Sequence, residues 1–311
     1  MKIYQGVEDF QKLKYAVVTS GTFDGVHVGH QTILSRLKEM AQNAGGETVL
    51  ITFWPHPRFI LNPDDDSIKL LTTFEEKTNL LKMLGIDHLV TIPFTKSFSQ
   101  MSSEDFIKQI LINKINTKKL IIGYDHRFGK NREGSFDHLV ANASTYGFEV
   151  IEISRQDVDD VTVSSTKIRK ALEQGEIEIA NEFLGRPYTI SGIVIPGDRR
   201  GRIIGFPTAN VYVKEKYKLI PDDGIYAVKV IHQGEEYNGM LNIGFRPTFG
   251  GQDKTIEVNI FNFKKEIYQQ NLTLHLISKI RNEIRFNNAE ELKNQLLKDK
   301  EEVNKILFPE V

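Results

Sequence analysis

Residues 15–45 read YAVVTSGTFDGVHVGHQTILSRLKEMAQNAG, and the reading of the first half of the chain turns on this stretch. Tyr15 to Thr19 is a short apolar run without alternation, the pattern of a strand buried on both faces of a parallel sheet. From His30 onward the apolar residues fall at helical spacing. Between the two, Gly21, Gly25 and Gly29 let an anion approach the backbone closely, and the helix that follows offers free N–H groups and its positive end. His27 and His30 stand three apart at this edge, so both imidazoles can face one bound phosphate.

The same alternation continues outward. Apolar runs at Thr48 to Phe53, His88 to Phe94, Lys119 to Tyr124 and Phe148 to Ile153 are separated by the helix-period segments TFEEKTNLLKMLG, SSEDFIKQILINKI and SFDHLVANASTYG. In the first of these, Leu80, Leu81 and Leu84 share a helix face, Thr73 caps the start and Gly85 stops it. Strand and helix in repeated succession predict a doubly wound parallel α/β sheet, whose ligands bind at the carboxyl ends of the strands.

Two short helical segments follow, STKIRKALEQG and EIEIANEFLG, and then Arg186-Pro187, where proline disfavours helix at the residue before it. Beyond this junction the period changes. Tyr188 to Ile195, Ile225 to His232, Glu236 to Asn242, Thr255 to Phe261 and Leu272 to Ile280 alternate partially and are punctuated by Gly, Pro and Asn, predicting a small antiparallel β-barrel with a hairpin at residues 232–235. AEELKNQLLKDKEEVNKIL predicts a terminal amphipathic helix with Leu292, Leu296 and Leu297 facing the barrel. The expected domains are therefore 1–186 and 187–311.

Composition agrees with two soluble domains. The chain has 311 residues and 40% hydrophobic content, enough for two cores at about 150 residues per domain. Forty Lys+Arg against 41 Asp+Glu give a net charge of −1, which argues against a nucleic-acid partner held by bulk attraction. The absence of cysteine excludes disulfides, zinc ribbons, iron–sulfur clusters and thiol nucleophiles. MKIYQGVEDFQKLK is too polar for a signal peptide, and no stretch reaches the ~18 apolar residues of a spanning helix. The expectation is a cytoplasmic protein with no membrane partner.

A second chemical segment lies at Gly197 to Asn210, GDRRGRIIGFPTAN. Gly197, Gly201 and Gly205 leave backbone open while Arg199, Arg200 and Arg202 add charge, yet the GxxxxGK[ST] pattern of a P-loop is missing. Taken alone, ProThrAlaAsn at 207–210 reads as the start of an edge strand.

Several motifs resemble known families. GTFDGVHVGH resembles the HxGH signature of nucleotidyltransferases and, in full, the FAD synthetase (FMN adenylyltransferase) branch. TFWPHP at 52–57, GYDHRFG at 123–129 and SSTKIR at 164–169 resemble that branch's TFxPHP, GxDFxFG and SSTxIR, with His126 standing where the family usually has Phe. The resemblance implies that His27, His30 and Arg169 serve catalysis. It further implies that Gly21, Phe23, Asp24, Gly25, Gly29, Asp125, Ser165 and Thr166 hold nucleotide phosphates, and that Pro57 and Phe128 border a flavin. Read alone, Asp125 either binds nucleotide or starts a turn. Bringing two anionic phosphates together demands charge neutralisation and in-line geometry rather than a covalent nucleophile, which suits these residue types.

In the second half, GFPTAN at 205–210, PDDGIYA at 221–227 and NIGFRPTF at 242–249 resemble the riboflavin kinase signatures GFPTAN, PxxGxYA and NIGxRPTF. This implies magnesium at Thr208 and Asn210, since hydroxyl and amide oxygens suit a hard cation, with Gly201, Arg202, Gly205 and Asn210 beside phosphate. Glu257, in IEVNIFNF, takes the place of the family's base for the attacking hydroxyl. Asn259 stands where the family has His. RNEIRF at 281–286 resembles RxExxF, implying that Arg281, Glu283 and Phe286 border the flavin.

Together these motifs resemble the bacterial bifunctional riboflavin kinase/FAD synthetases. The implied partners are riboflavin, FMN, FAD, ATP, ADP and pyrophosphate, with magnesium-bound ATP as co-substrate and the oligomeric state open. Three alternatives stand beside this: a paralogue with kinase activity alone, a cytidylyltransferase, and a non-catalytic flavin-sensing or RNA-binding regulator.

Overall fold

The computed structural model describes residues 1–65, 67–123, 127–130, 133–153, 163–197, 200–245 and 254–308, the side chains of Ser144, Arg200 and Ile203 excepted. Two compact units emerge, Met1–Ile68 with Phe74–Ser164, and Lys69–Thr73 with Ser165–Val311.

The first unit runs β1 (Lys2–Gln5), β2 (Ala16–Ser20), α1 (Val28–Asn43), β3 (Glu47–Trp54), α2 (Pro57–Leu61), α3 (Phe74–Met83), β4 (His88–Pro93), α4 (Ser103–Asp105), β5 (Thr117–Gly123), α5 (Phe136–Tyr146) and β6 (Glu149–Ile153). Its strands form one parallel sheet in the order β1-β4-β3-β2-β5-β6. Consecutive residues of the unbroken apolar runs enter opposite cores. Val18, Ile51 and Leu120 pack on one face with Ile107, Leu111 and Leu139, while Val17, Leu50 and Ile121 pack on the other with Leu34, Leu37 and Leu81. Burial on both faces is why these strands do not alternate. The winding reverses between β2 and β5, so the loop after β2 opens at the topological switch point.

In this unit the first strand and the segment after α4 depart from the sequence reading. Strand β1 was not expected, because it bonds to β4 alone and most of its four residues are exposed, which leaves no apolar run to detect. The segment after α4 is not an ordinary α-helix but a π-helix over Phe106–Ile115. Its i→i+5 bonding sets residues five apart above one another, so Phe106 and Leu111, and Ile110 and Ile115, all turn inward.

The second unit runs α6 (Ser165–Glu173), α7 (Ile177–Leu184), β7 (Tyr188–Ile195), α8 (Arg200–Ile203), β8 (Ala209–Tyr212), β9 (Gly224–His232), β10 (Glu235–Phe245), β11 (Lys254–Ile260), β12 (Asn271–Arg281) and α9 (Ala289–Leu307). The strands close into an antiparallel barrel in the order β10-β11-β8-β7-β12-β9. The β9–β10 hairpin turns at Gln233 and Gly234, both at positive φ (52° and 85°), as a type I′ turn requires. Strand β8, read from sequence as an edge, instead pairs with both β7 and β11 and closes the barrel. With four residues it is too short for periodicity to reveal that it is covered on both sides.

Helix α6 is tied to this unit by the Asp222 N–H donating to the Leu172 carbonyl (3.0 Å). The strap Lys69–Thr73 is tied by Leu70 N–H to Tyr217 O (2.7 Å), Leu219 N–H to Leu70 O (2.8 Å) and the buried Lys218 ammonium to Leu71 O (2.7 Å). Pro187 follows Gly185, which ends α7 at φ 66°.

Helix α9 packs Leu296, Val303, Ile306 and Leu307 against Phe206, Ile225, Met240 and Phe261. Leu292 is half-buried, but Leu297 is 46% exposed and does not face the barrel, contrary to expectation. The inward stripe runs through Asp299 instead, which is 1% exposed and receives Arg281 through two bonds, Nε to Oδ1 at 2.9 Å and Nη2 to Oδ2 at 2.6 Å. An acid inside an apolar stripe hides its period. Asp299→Ala leaves the Arg281 charge unpaired, and urea unfolding should show a loss of about 3–5 kcal/mol; replacing the pair together by Met and Leu should recover most of it.

Candidate active sites

In the first unit the chain leaves β2 through a turn that is unusual for its residue types. Phe23 and Val26 both hold positive φ (48° and 41°), as does Gly25 at 81°. Positive φ at a bulky or β-branched residue costs on the order of 1–3 kcal/mol. Both side chains are buried in the core under α1, at 3% and 1% exposure, a gain of roughly 1.5–3 kcal/mol each that offsets the strain. The turn is pinned by Gly21 N–H to Ile51 O (3.0 Å), Val26 N–H to Phe23 O (3.2 Å) and the Gln31 side-chain amide to Val26 O (2.9 Å).

The turn delivers His27 to the N-cap of α1, where its Nδ1 accepts the His30 N–H at 3.4 Å. The rings of His27 and His30 stack 3.7 Å apart at 18°, and Phe23 leans on His30 at 4.8 Å. His27 (7% exposed), Asp24 (4%) and Gly29 are buried. A Cβ on Gly21 would press on the Phe23 ring at 3.1 Å. Thus His27, His30, Gly21, Phe23, Asp24, Gly25 and Gly29 converge on one helix N-terminus, a place built for anions.

Lys77 was read only as a helix residue. It occupies the start of α3, its ammonium is buried, and it donates to the Thr22 carbonyl and the Thr52 hydroxyl, each at 3.1 Å. Burial pushes its pKa down to about 8, opposed by the attraction of Asp24. A cation at a helix start opposes the dipole, and that is the one sequence signal that marks it.

The other expected residues stand on other elements. Ser165 and Thr166 open α6 in the second unit, where the Arg169 Nε donates to the Lys69 carbonyl at 2.7 Å. Pro57 is the first residue of α2, capped by His56 through Nδ1 to the Arg58 N–H at 3.2 Å. Phe128 packs on Phe106 at 5.6 Å. Asp125 and His126 lie outside the described residues.

In the barrel, strand register lines up a polar row. Asn210 on β8 is opposite Glu257 on β11, and Glu257 is opposite Asn242 on β10. Directly opposed residues share a face. The Thr208 hydroxyl donates to Glu257 Oε2 at 3.2 Å. Glu283 joins through Asn242, and its carboxyl is raised above the usual range by burial and by nearby Asp223. It stands where a Cβ on Gly244 would fall 2.0 Å from Oε1. Asn242 Oδ1 is buried without a hydrogen-bond partner among the described residues, and sequence reading gave Asn242 no role.

The glycine loop shapes the approach to this row. A Cβ on Gly201 would lie 2.2 Å from the Phe206 carbonyl, whose amide bonds back to Gly201 O at 2.8 Å, and one on Gly197 would meet the Asn210 amide at 2.2 Å. Gly205 turns at φ 84°, and Arg202 lies 3.8 Å from Glu266. Asn259 is buried and donates to Pro207 O at 2.6 Å, which seats the backbone just before Thr208. Arg281 is committed to Asp299, and Phe286 is half-buried. Arg199, the Arg200 side chain and residues 246–249 lie outside the described parts.

A helix start suited to anions on one fold and a row of oxygen-bearing side chains on another fit a nucleotide-dependent transferase with two catalytic domains. Residues 9–167 match the FAD synthetase family and residues 184–307 the riboflavin kinase family. A bifunctional riboflavin kinase/FMN adenylyltransferase of Buchnera aphidicola subsp. Schizaphis graminum is 41% identical over 310 residues, 98% of either chain. That of Bacillus subtilis is 40% identical over 294 residues, 92% of this chain and 91% of that one. A crystal structure described as a macrolide-efflux protein from Streptococcus pneumoniae superimposes with TM-score 0.88 at 30% identity, covering 97% of this chain and 98% of that one. The chain belongs to the bifunctional riboflavin kinase/FMN adenylyltransferase family and is a two-step enzyme of flavin-nucleotide synthesis with ATP as co-substrate.

The depressed Lys77 pKa has a stability signature. Between about pH 8 and the unfolded value of 10.5 the unfolded chain binds more protons at this site, so stability rises with pH there, by at most about 1.4 kcal/mol per pH unit. Thermal melts of wild type and Lys77→Met should therefore shift in favour of wild type from pH 8 to 10.5, with a constant difference below pH 7.

Proposed function

We propose that the two activities are divided between the two constellations, with His27 and His30 serving adenylyl transfer and Glu257 serving the kinase step. What carries this reading is that the two family matches cover most of the chain, one in each half, while each histidine or carboxylate cluster lies within its own fold.

In the kinase step, Glu257 takes the proton of the ribityl 5′-hydroxyl of riboflavin as that oxygen attacks the γ-phosphorus of ATP, and ADP leaves. Thr208 and Asn210 would hold a magnesium ion. The donor set supports this: a hydroxyl, an amide and a carboxylate, with the buried Asn242 Oδ1 in the same row, offer oxygen ligands. Magnesium bound there offsets the charge of the transferring phosphate. Gly201, Arg202 and Gly205 border the polyphosphate, and Arg281, Glu283 and Phe286 border the flavin, Arg281 through the strand end that it anchors.

In the adenylyl step, the FMN phosphate attacks the α-phosphorus of ATP and pyrophosphate leaves. The α1 N-terminus with His27 and His30 neutralises the developing charge, and Gly21, Phe23, Asp24, Gly25 and Gly29 shape the cradle. By their motifs, Asp125, Ser165, Thr166 and Arg169 are assigned to the nucleotide in this proposal, and Pro57 and Phe128 to the flavin. The functional domains meet at Arg186-Pro187. The proposal puts the enzyme in the cytoplasm, which a cysteine-free sequence fits. No described helix is long and apolar enough to cross a membrane.

Incubation with riboflavin, ATP and magnesium should yield FMN and then FAD, read by chromatography; FMN accumulating without FAD removes the adenylyl assignment. His30→Ala should abolish FAD formation and spare FMN formation. Glu257→Ala should do the reverse when FMN is supplied, and loss of both activities in either folded variant refutes independent sites.

A further inference from the structure

Lys77 lies outside every motif singled out from the sequence, yet it touches two of them. Its ammonium donates to the Thr22 carbonyl within GTFDGVHVGH and to the hydroxyl of Thr52, the first residue of TFWPHP. Thr52 in turn donates to the same Thr22 carbonyl at 3.4 Å. The aromatic residue one turn earlier, Phe74, reaches Trp54 of the second motif at 5.5 Å, and the Lys77 ammonium lies 5.7 Å from the Phe74 ring centre. Thr52 is wholly buried and Lys77 is 5% exposed, so solvent does not substitute for either bond.

Its position in the chain gives the contact leverage. Thr22 immediately precedes Phe23, one of the two non-glycine residues that this turn holds at positive φ, and the Phe23 ring rests on His30. A turn that residues of these types disfavour persists only where its surroundings over-determine it. The Thr22 carbonyl is the point where α3 and β3 reach the turn. Asp24, buried on the other side of Phe23, is attracted to the same ammonium. A buried lysine serving packing alone is an expensive choice, because an apolar side chain would fill the space without desolvating a charge.

We propose that Lys77 is a positioning residue for adenylyl transfer, its ammonium clamping the Thr22–Asp24 backbone so that Phe23 and His30 are held in the geometry that receives the reacting phosphates. This rests on the assignment of adenylyl transfer to the α1 N-terminus. The clamp acts through backbone shape, and its loss falls on the transition state, where donor placement matters most, more than on substrate binding.

Lys77→Met should lower the kcat of FAD formation from FMN by about 100-fold, with the KM for FMN and ATP changed by less than about three-fold. The riboflavin kinase rate of the same preparation should stay within two-fold of wild type by rough expectation, which reports a folded chain. Lys77→Arg should restore part of the kcat, since a guanidinium can still donate to both oxygens. Thr52→Val, which keeps volume, should lower kcat in the same direction by a smaller factor. Amide hydrogen exchange across residues 22–27 supplies a readout that needs no turnover, and it should quicken in Lys77→Met without quickening in the barrel strands. Unchanged exchange in this turn, or a kcat within three-fold of wild type, overturns the proposal. Should wild type itself form no FAD, the adenylyl assignment falls and the exchange experiment still decides whether Lys77 clamps the turn.

Discussion

The first unit depends on one constraint, that the chain leaving a strand buried on both faces must turn sharply and present a helix start to solvent. Ala16–Ser20 is buried along its length, so its position in the sheet is fixed by contacts to both cores. The turn after it then has little freedom in where it places His27. It adopts positive φ at Phe23 and Val26, and the burial of those two side chains repays the strain. Helix α1, its capped N-terminus and the stacked histidines all follow from that exchange between backbone strain and core burial.

The barrel solves a similar problem by register. Asn210, Glu257 and Asn242 are far apart in the chain, and a shift of one residue in either strand pairing would send one of them to the opposite face. Closure leaves no free edge along which such a slip can be absorbed. The Arg281–Asp299 pair holds α9 at the end of β12, so the helix that closes the core also fixes the chain just before Glu283. Asn259 donates its amide to Pro207 O and so seats the backbone just before Thr208.

Much of this was legible in the residues themselves. Five parallel strands announce themselves as apolar runs, and residues 232–235 form the hairpin expected of them. The site was less legible where an interaction joins distant residues. Lys77 resembles any surface lysine of an amphipathic helix, and Asn242 any strand asparagine, until the fold brings Thr22, Thr52 and Glu257 to them. Asp299 misled the reading of α9, since a carboxylate in the inward stripe looks like a solvent position and moved the predicted face toward Leu297.

Sequence alone determined the fold class of each half, the change of architecture between them and the two motif sets, because buried runs, turn residues and phosphate loops are local in the chain. Only the tertiary structure decided that β1 exists, that β8 is paired on both sides, that α6 packs with the barrel unit, that Asn242 stands opposite Glu257, and that Lys77 and Asp299 are buried beside their partners. Short strands and single polar contacts carry too little local pattern to be read. Their stability comes from neighbours remote in sequence, and those neighbours exist only once the cores have formed.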